Sequence, residues 1–539
     1  MGSGNVFERN AGILMAVSSL PSPYGIGTLG KAAYEFVDFV RDTNHKYWQV
    51  LPVGPTTYGD SPYQPYSAYA GNPYFVDLDI LIEEGLLLKS EVIAVDWGDG
   101  IVPVNVSEED ALNNRYPVNY DGYLGDDRYV SYEKMYNGRF TILRKAYERF
   151  KAKCLKAKSE LDRGLPIYKR FDNFVRDNKE WLNDYSLFMS LKACFGQRAW
   201  GEWEDDIKFR RAEAMDKYEK SLSDDIGYWN FIQFEFYTQW EKLKKYANSQ
   251  GIEIIGDIPI YMGYDSVDVW ANQKEFQLDE NLTPIKVAGV PPDAFSDKGQ
   301  KWGNPLYDWE KMEADNFSWW RSRMKNSARL YDVIRIDHFL GIIKYYTIPY
   351  DMPDARQGTY KQGPGQKLLD AINESIGDKK IIAEDLGVDI PEVEQVLKNN
   401  NYPGMKVLEF AFGGDRRNPH LPYNYSRNCV CYGGTHDNET LLGFFNERND
   451  GELGYAYDYL DTRDKCRMVD MVFRAAYSSV AVLTVFSVQD ILKLDNSARM
   501  NFPSSLGNNW KWRLKKGQLN WDHLNAMRYL ASVFDRERK

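Results

Sequence analysis

Three stretches decide how this chain reads: Val333-Ile334-Arg335-Ile336-Asp337-His338-Phe339, Ile381-Ile382-Ala383-Glu384-Asp385-Leu386-Gly387 and Cys429-Val430-Cys431-Tyr432-Gly433-Gly434-Thr435-His436-Asp437-Asn438. Each is a short apolar run of buried-strand character that leads into a carboxylate. An acid is costly to bury unpaired. One acid at the mouth of each of three strands therefore points to a shared site at one end of a parallel barrel, the end where barrel enzymes keep their chemistry. The intervals from Asp337 to Glu384 and from Glu384 to Asp437 each leave room for the crossover helix that consecutive parallel strands require. The expected fold is α/β, a (β/α)8 TIM barrel with large, mainly helical insertions between its strands.

Strand alternation sharpens the reading. Val333, Arg335 and Asp337 lie two apart and share a face, which sets a guanidinium beside a carboxylate and favours its ionised form. A single acid after a strand is more often a helix N-cap or an ion-pair partner; three together argue for a site. In the pair Glu384-Asp385, alternation places Glu384 on the face of Ile382 and turns Asp385 away, as the expected cap of the next helix.

The 539 residues suit a catalytic barrel of about 250 residues carrying insertions. A net charge of −11 and a pI near 5.3, with no block of Lys and Arg, argue against nucleic-acid or anionic-membrane partners. Cys154, Cys194, Cys429, Cys431 and Cys466 form no paired framework and suggest a reducing compartment. Cys429 and Cys431 share a strand face, read as small buried hydrophobes rather than metal ligands. With no apolar signal core at Met1-Gly2-Ser3-Gly4-Asn5 and no run near the roughly 18 apolar residues of a membrane helix, the chain reads as cytoplasmic, unless a targeting segment has been removed. Aromatic residues make up 15% of the chain, with 38 Tyr and 15 Trp. Most serve packing, but the excess leans toward carbohydrate, whose ring faces stack on aromatics.

Along the chain, strands are expected at Gly12–Val17, Tyr47–Leu51, Ile252–Asp257, Val333–Ile336, Lys380–Ala383, Met405–Glu409, Cys429–Thr435 and Val480–Val488, eight in all. A helix is expected near Ala32–Thr43. The long interval after Tyr47–Leu51 reads as an insertion, with amphipathic helical patterns at Arg139–Leu161 and Tyr168–Phe195 and a returning helix at Tyr228–Gln250. The expected division is 10–60 as the first part of the barrel, 61–245 as a mainly helical insertion, and 246–539 as the remainder, with a smaller loop insertion near 262–320. Asp257 also ends its strand and is a fourth acidic candidate for the rim.

Further motifs complete the picture. They are Ser19-Leu20-Pro21-Ser22-Pro23-Tyr24-Gly25-Ile26-Gly27, Gly59-Asp60-Ser61-Pro62-Tyr63-Gln64, Ala70-Gly71-Asn72-Pro73-Tyr74, Gly256-Asp257-Ile258-Pro259-Ile260-Tyr261, Gly289-Val290-Pro291-Pro292-Asp293 and Gln300-Lys301-Trp302-Gly303-Asn304-Pro305-Leu306-Tyr307. Together with the three acid motifs, in order from Gly12 to Trp510-Lys511-Trp512-Arg513, they resemble the 4-α-glucanotransferases of glycoside hydrolase family 77, the amylomaltases or disproportionating enzymes. The resemblance implies Asp337 as nucleophile, Glu384 as general acid/base with a raised pKa, and Asp437 as the stabiliser that grips sugar hydroxyls. It implies that Arg335 holds Asp337 ionised, that His436 bonds a sugar hydroxyl, and that Asp257, Tyr63, Trp302, Asp293, Asn501 and Pro503 line the subsites. Without it, His436 would read as a structural hydrogen-bonder and His338 as packing.

The implied chemistry is retaining transfer of an α-1,4-glucan segment from a donor maltooligosaccharide to the 4-hydroxyl of an acceptor, through a glycosyl ester of Asp337. It needs no cofactor, nucleotide or metal. Gly289–Leu306 reads as a mobile loop over the acceptor side. Met15-Ala16-Val17 and Asn501-Phe502-Pro503-Ser504-Ser505 depart from the family pattern, which bears on subsite preference. An α-glucan hydrolase on the same residues, and a catalytically silent glucan binder, are the alternatives.

Overall fold

The computed structural model describes residues 5–57, 59–113, 115–116, 129–159, 166–292, 296–387, 390–505 and 507–539. Eight parallel strands form the barrel: β1 (Asn10–Leu14), β2 (Tyr47–Gln49), β3 (Glu253–Ile258), β4 (Val333–Ile336), β5 (Lys380–Ala383), β6 (Gly404–Val407), β7 (Cys429–Tyr432) and β8 (Leu483–Ser487). The hydrogen-bonded order is β6-β7-β8-β1-β2-β3-β4-β5. Side chains alternate across the wall as the period of two requires. Leu14, Tyr47, Ile255, Val333, Ile382, Met405, Val430 and Val485 fill the interior, whereas Ile13, Trp48, Ile254, Ile334, Ile381, Cys429 and Cys431 pack outward against helices.

The ring closes between β5 and β6 by a different device. The Ala383 N–H donates to the Pro403 carbonyl at 3.0 Å, and the Asp385 carboxylate accepts from the Met405 N–H at 2.7 Å. A Cβ on Gly404 would stand 2.3 Å from Asp385 Oδ2, so only glycine admits the carboxylate. Asp385 is therefore a seam-closing residue and not the expected helix cap. The next helix, Pro391–Asn400, starts after Ile390 with proline in its first turn.

The strands expected at β4 and β5 match the observed bounds, while β1, β2, β6, β7 and β8 stop short of the expected C-terminal limits. Beyond them the chain leaves the ladder to build the barrel mouth: Val407 gives way to a 3-10 turn at Leu408–Ala411, and Tyr432 to the Gly433-Gly434 loop. Between β2 and β3 run the helices Tyr132–Ser159, Pro166–Asp177, Lys179–Cys194 and Ser223–Ser249. The pattern read at Tyr168–Phe195 is split at Asn178, and Leu161 lies outside the described residues.

A second sheet was not anticipated. Four antiparallel strands, in the order Gln300–Pro305, Lys286–Val290, Lys344–Pro349, Thr359–Gln362, stand beside the barrel mouth. Gly289, Val290 and Gln300–Pro305 of the segment expected to be a mobile loop thus belong to paired strands, with Val290 opposite Gln300.

At the foot of the barrel a fully buried Arg536 donates to the carbonyls of Asn10 at 3.0 Å, Tyr477 at 2.8 Å, Ser479 at 3.1 Å and Ala481 at 3.0 Å. It clamps β1 to the helix Lys465–Ser478 and the approach to β8. Among the described residues, no helix is long and apolar enough to cross a membrane.

Candidate active site

Arg335 is the hub of the site. Its register on β4 sets it opposite Asp257 of β3, and its side chain, 2% exposed, points into the barrel mouth. Nη1 lies 2.5 Å from Asp257 Oδ2 and 3.2 Å from Asp337 Oδ1, and Nη2 lies 3.1 Å from Glu384 Oε2. Burial opposes the guanidinium charge, and the three acids more than restore it. Tyr63 donates its hydroxyl to Asp257 Oδ2 at 2.8 Å. Burial, and then Asp257, hold that phenol neutral.

One guanidinium cannot neutralise three carboxylates, and Asp337 and Glu384 are in hydrogen-bonding contact, so the pair shares a proton. Of the two, Asp337 is the one whose protonated form the site favours. Its carboxyl is pushed well above the usual range by burial and by Glu384, against the pull of Arg335. For Glu384 burial acts upward, but Arg335, the hydrogen bond from Asp337 and the His338 N–H outweigh it and bring the group to about 2. The His338 N–H reaches Glu384 Oε2 at 2.8 Å because His338 takes up a left-handed conformation, φ 49°, a strained choice for a residue other than glycine. The expectations of a raised Glu384 and an Asp337 held ionised by Arg335 are both corrected. Arg335 divides its charge over three acids, and the backbone donor favours Glu384.

Asp437 faces this pair from the loop after β7. Its Oδ1 accepts from Asn501 Nδ2 at 2.6 Å and lies 3.4 Å from His436 Nε2. Its carbonyl accepts from Arg499 Nη2 at 2.7 Å. Asn438 Oδ1 holds the loop by accepting from the N–H and hydroxyl of Thr435, at 2.9 and 2.8 Å. The His436 ring stacks on Tyr63 at 4.6 Å, with Nδ1 3.1 Å from the phenolic oxygen. Since the Tyr63 proton goes to Asp257, Nδ1 is the donor there.

Trp302 stands over the pair, edge-on to His338 at 4.9 Å. Gln300 accepts its indole N–H at 3.1 Å, and Gln64 donates to its carbonyl at 3.2 Å. Trp302, His338, Glu384, Asp437 and Pro503 line one cavity of about 1210 Å³, larger than the ~300–1,000 Å³ of ordinary small-ligand pockets. Nine of the candidate residues, Asp337, Glu384, Asp437, Arg335, Asp257, Tyr63, His436, Trp302 and Asn501, are thus connected around one mouth. Pro503 lines it without a polar contact, and Asp293 lies outside the described residues. Sequence reasoning missed Arg499, Trp510 and Glu409. Trp510 packs 5.6 Å from Tyr63. Glu409, 6% exposed on the same cavity, is pushed well up by burial and by Asp490 and Glu439. The signal that found the other acids, a carboxylate ending an apolar run, also marks Glu409.

The family model for 4-alpha-glucanotransferases matches residues 15–520. The chain belongs to the 4-alpha-glucanotransferase family. A family relative, the 4-alpha-glucanotransferase of Clostridium butyricum, is 45% identical over 524 residues, 97% of this chain and 100% of that protein. The 4-alpha-glucanotransferase of Streptococcus pneumoniae is 42% identical over 514 residues, covering 95% and 94%. Among solved structures, the amylomaltase from Streptococcus agalactiae in complex with acarbose superposes with a TM-score of 0.86 at 36% identity, over 98% of this chain and 100% of that one.

Proposed function

We propose that the protein is a retaining 4-α-glucanotransferase acting on maltooligosaccharides and longer α-1,4-glucans, with Asp337 as nucleophile, Glu384 as acid/base and Asp437 as stabiliser. The observation that carries this is the contact between Asp337 and Glu384 under Arg335. Inverting pairs stand ~6.5–9.5 Å apart to admit a water, and retaining pairs only ~5–5.5 Å.

In the first step the Asp337 carboxylate attacks the anomeric carbon, the glycosidic C–O bond breaks, and Glu384 gives its proton to the departing 4-oxygen. Glu384 acquires that proton from Asp337: positive charge growing on the sugar beside Asp337 favours its ionised form, and the proton moves across the existing contact. In the second step Glu384 takes the proton of an acceptor 4-hydroxyl, whose oxygen displaces Asp337 and restores an α-1,4 bond. Asp437, oriented by Asn501 and Arg499, grips hydroxyls of the distorted ring. His436, Tyr63, Asp257, Trp302, Asp293 and Pro503 complete the subsites. One glycosidic bond replaces another, so the exchange is nearly isoenergetic. Cys194, Cys429, Cys431 and Cys466 join no disulfide, which supports a reducing, cytoplasmic setting.

Incubation with maltotriose alone tests the reading. Glucose and longer maltooligosaccharides at constant total reducing ends are expected. A rising reducing-end count assigns the site to hydrolysis, and no turnover sinks the enzymatic reading.

A further inference from the structure

We propose that Tyr423, Tyr455 and Tyr459 form an outer glucan platform that continues the active-site cleft and holds the distal part of long α-1,4-glucan chains. The proposal rests on the transferase reading for its ligand. Phe412 and Leu453 line the cavity that contains Glu384 and Asp437. Leu453 begins the helix Gly454–Leu460, which carries two of the tyrosines outward. Tyr459 packs on Phe412 at 6.0 Å, and its ring lies 6.1 Å from Tyr455 and 6.3 Å from Tyr423. An aromatic path thus runs from the cavity lining to Tyr423, which is 58% exposed.

The rings are held in place. The hydroxyls of Tyr423 and Tyr455 are 3.2 Å apart, and Tyr423 donates to the Arg416 carbonyl at 3.0 Å. Asn424 is fixed beside them by donating to the carbonyls of Arg416 and Asn418, at 3.0 and 2.9 Å. Exposed Asp415 and Arg417 flank the same segment. Preordered aromatic faces bordered by charged and amide groups match a glucan, whose ring faces are apolar and whose rims are hydroxyls. Core packing accounts for Tyr459 but not for Tyr423, whose ring remains largely in solvent. A chain as short as maltotriose is used up at the carboxylates, so the platform acts only on longer chains.

The test compares the unmodified protein with the double variant Tyr423→Ala/Tyr455→Ala, and with Tyr423→Phe/Tyr455→Phe, which keeps the rings. The alanine pair is expected to leave maltotriose kcat/KM within about twofold while raising the KM for amylose on the order of tenfold. The phenylalanine pair keeps the stacking faces but loses the hydroxyl bonds that fix them, and should fall between the unmodified protein and the alanine pair. Native gels containing amylose, run in an Asp337→Asn background so that no glucan is consumed, should show weaker retardation of the alanine pair. Unchanged amylose KM and retardation overturn the platform, and so does an equal loss on maltotriose and amylose. If the unmodified protein fails to disproportionate maltotriose, the transferase reading falls, and the gel retardation still decides whether the tyrosines bind glucan.

Discussion

Arg335 faces Asp257, Asp337 and Glu384 at once, and against its pull, burial and Glu384 favour the protonated form of Asp337. Asparagine imitates that protonated acid. Asp337→Asn should lower kcat by at least about 10³-fold while the fold persists; near-normal transfer activity would remove Asp337 as nucleophile. The same variant reads the linkage. Asp337 has a folded-state pKa raised above its ordinary 3.8, so its stabilising contribution is complete below that value and is lost as pH rises through the folded pKa. Thermal midpoints of Asp337→Asn should therefore gain on the unmodified protein from pH 4 to pH 8; a flat difference would place the proton elsewhere. Glu384 has the opposite sign, since its pKa falls from 4.5 to about 2. Its contribution is present above 4.5 and lost as pH falls through that window. The three carboxylates of the mouth were legible because each follows an apolar run. The proton's position was not, because it depends on the direction of the Arg335 fork and on the left-handed turn at His338.

At the scale of elements, the seam between β5 and β6 concentrates risk in two side groups. Gly404→Ala forces the Asp385 carboxylate off the Met405 N–H and should cost about 2 kcal/mol, read as a lower urea midpoint. Asp385→Ala removes the same bond from the other side, so the double variant should fall short of additive. Additive losses would mean that the two residues act separately. Strand existence was legible from apolar runs, and β4 and β5 even to their ends. The seam was hidden because Asp385, read by strand alternation alone, pointed away from the mouth. The small sheet was hidden for another reason: Thr359–Gln362 is exposed throughout and Gln300–Pro305 is polar for most of its length, so neither shows the alternation of a half-buried strand.

Across the whole molecule, the long insertion between β2 and β3 was legible from the distance between two strands of similar character, and its helices from amphipathic patterning. The clamp at Arg536 was not, because a lone arginine carries no sign that it will be buried among carbonyls. Burial, chiefly, lowers its pKa to about 10, leaving it charged at neutral pH. Arg536→Ala strips several buried carbonyls of a charged donor and should cost about 3 kcal/mol, measured by urea unfolding; a loss under about 0.5 kcal/mol would show that Arg9, which also reaches Tyr477 and Ser479, suffices alone. The pairing of β1 with β8, Asn10 against Leu483, also has a consequence in time. Ribosomes add ~5–20 residues per second, so the first strand made waits roughly half a minute to a minute and a half for its neighbour. During that interval one edge of β1 is open to any passing strand, and the nascent chain is at its most vulnerable to aggregation before the last strand emerges.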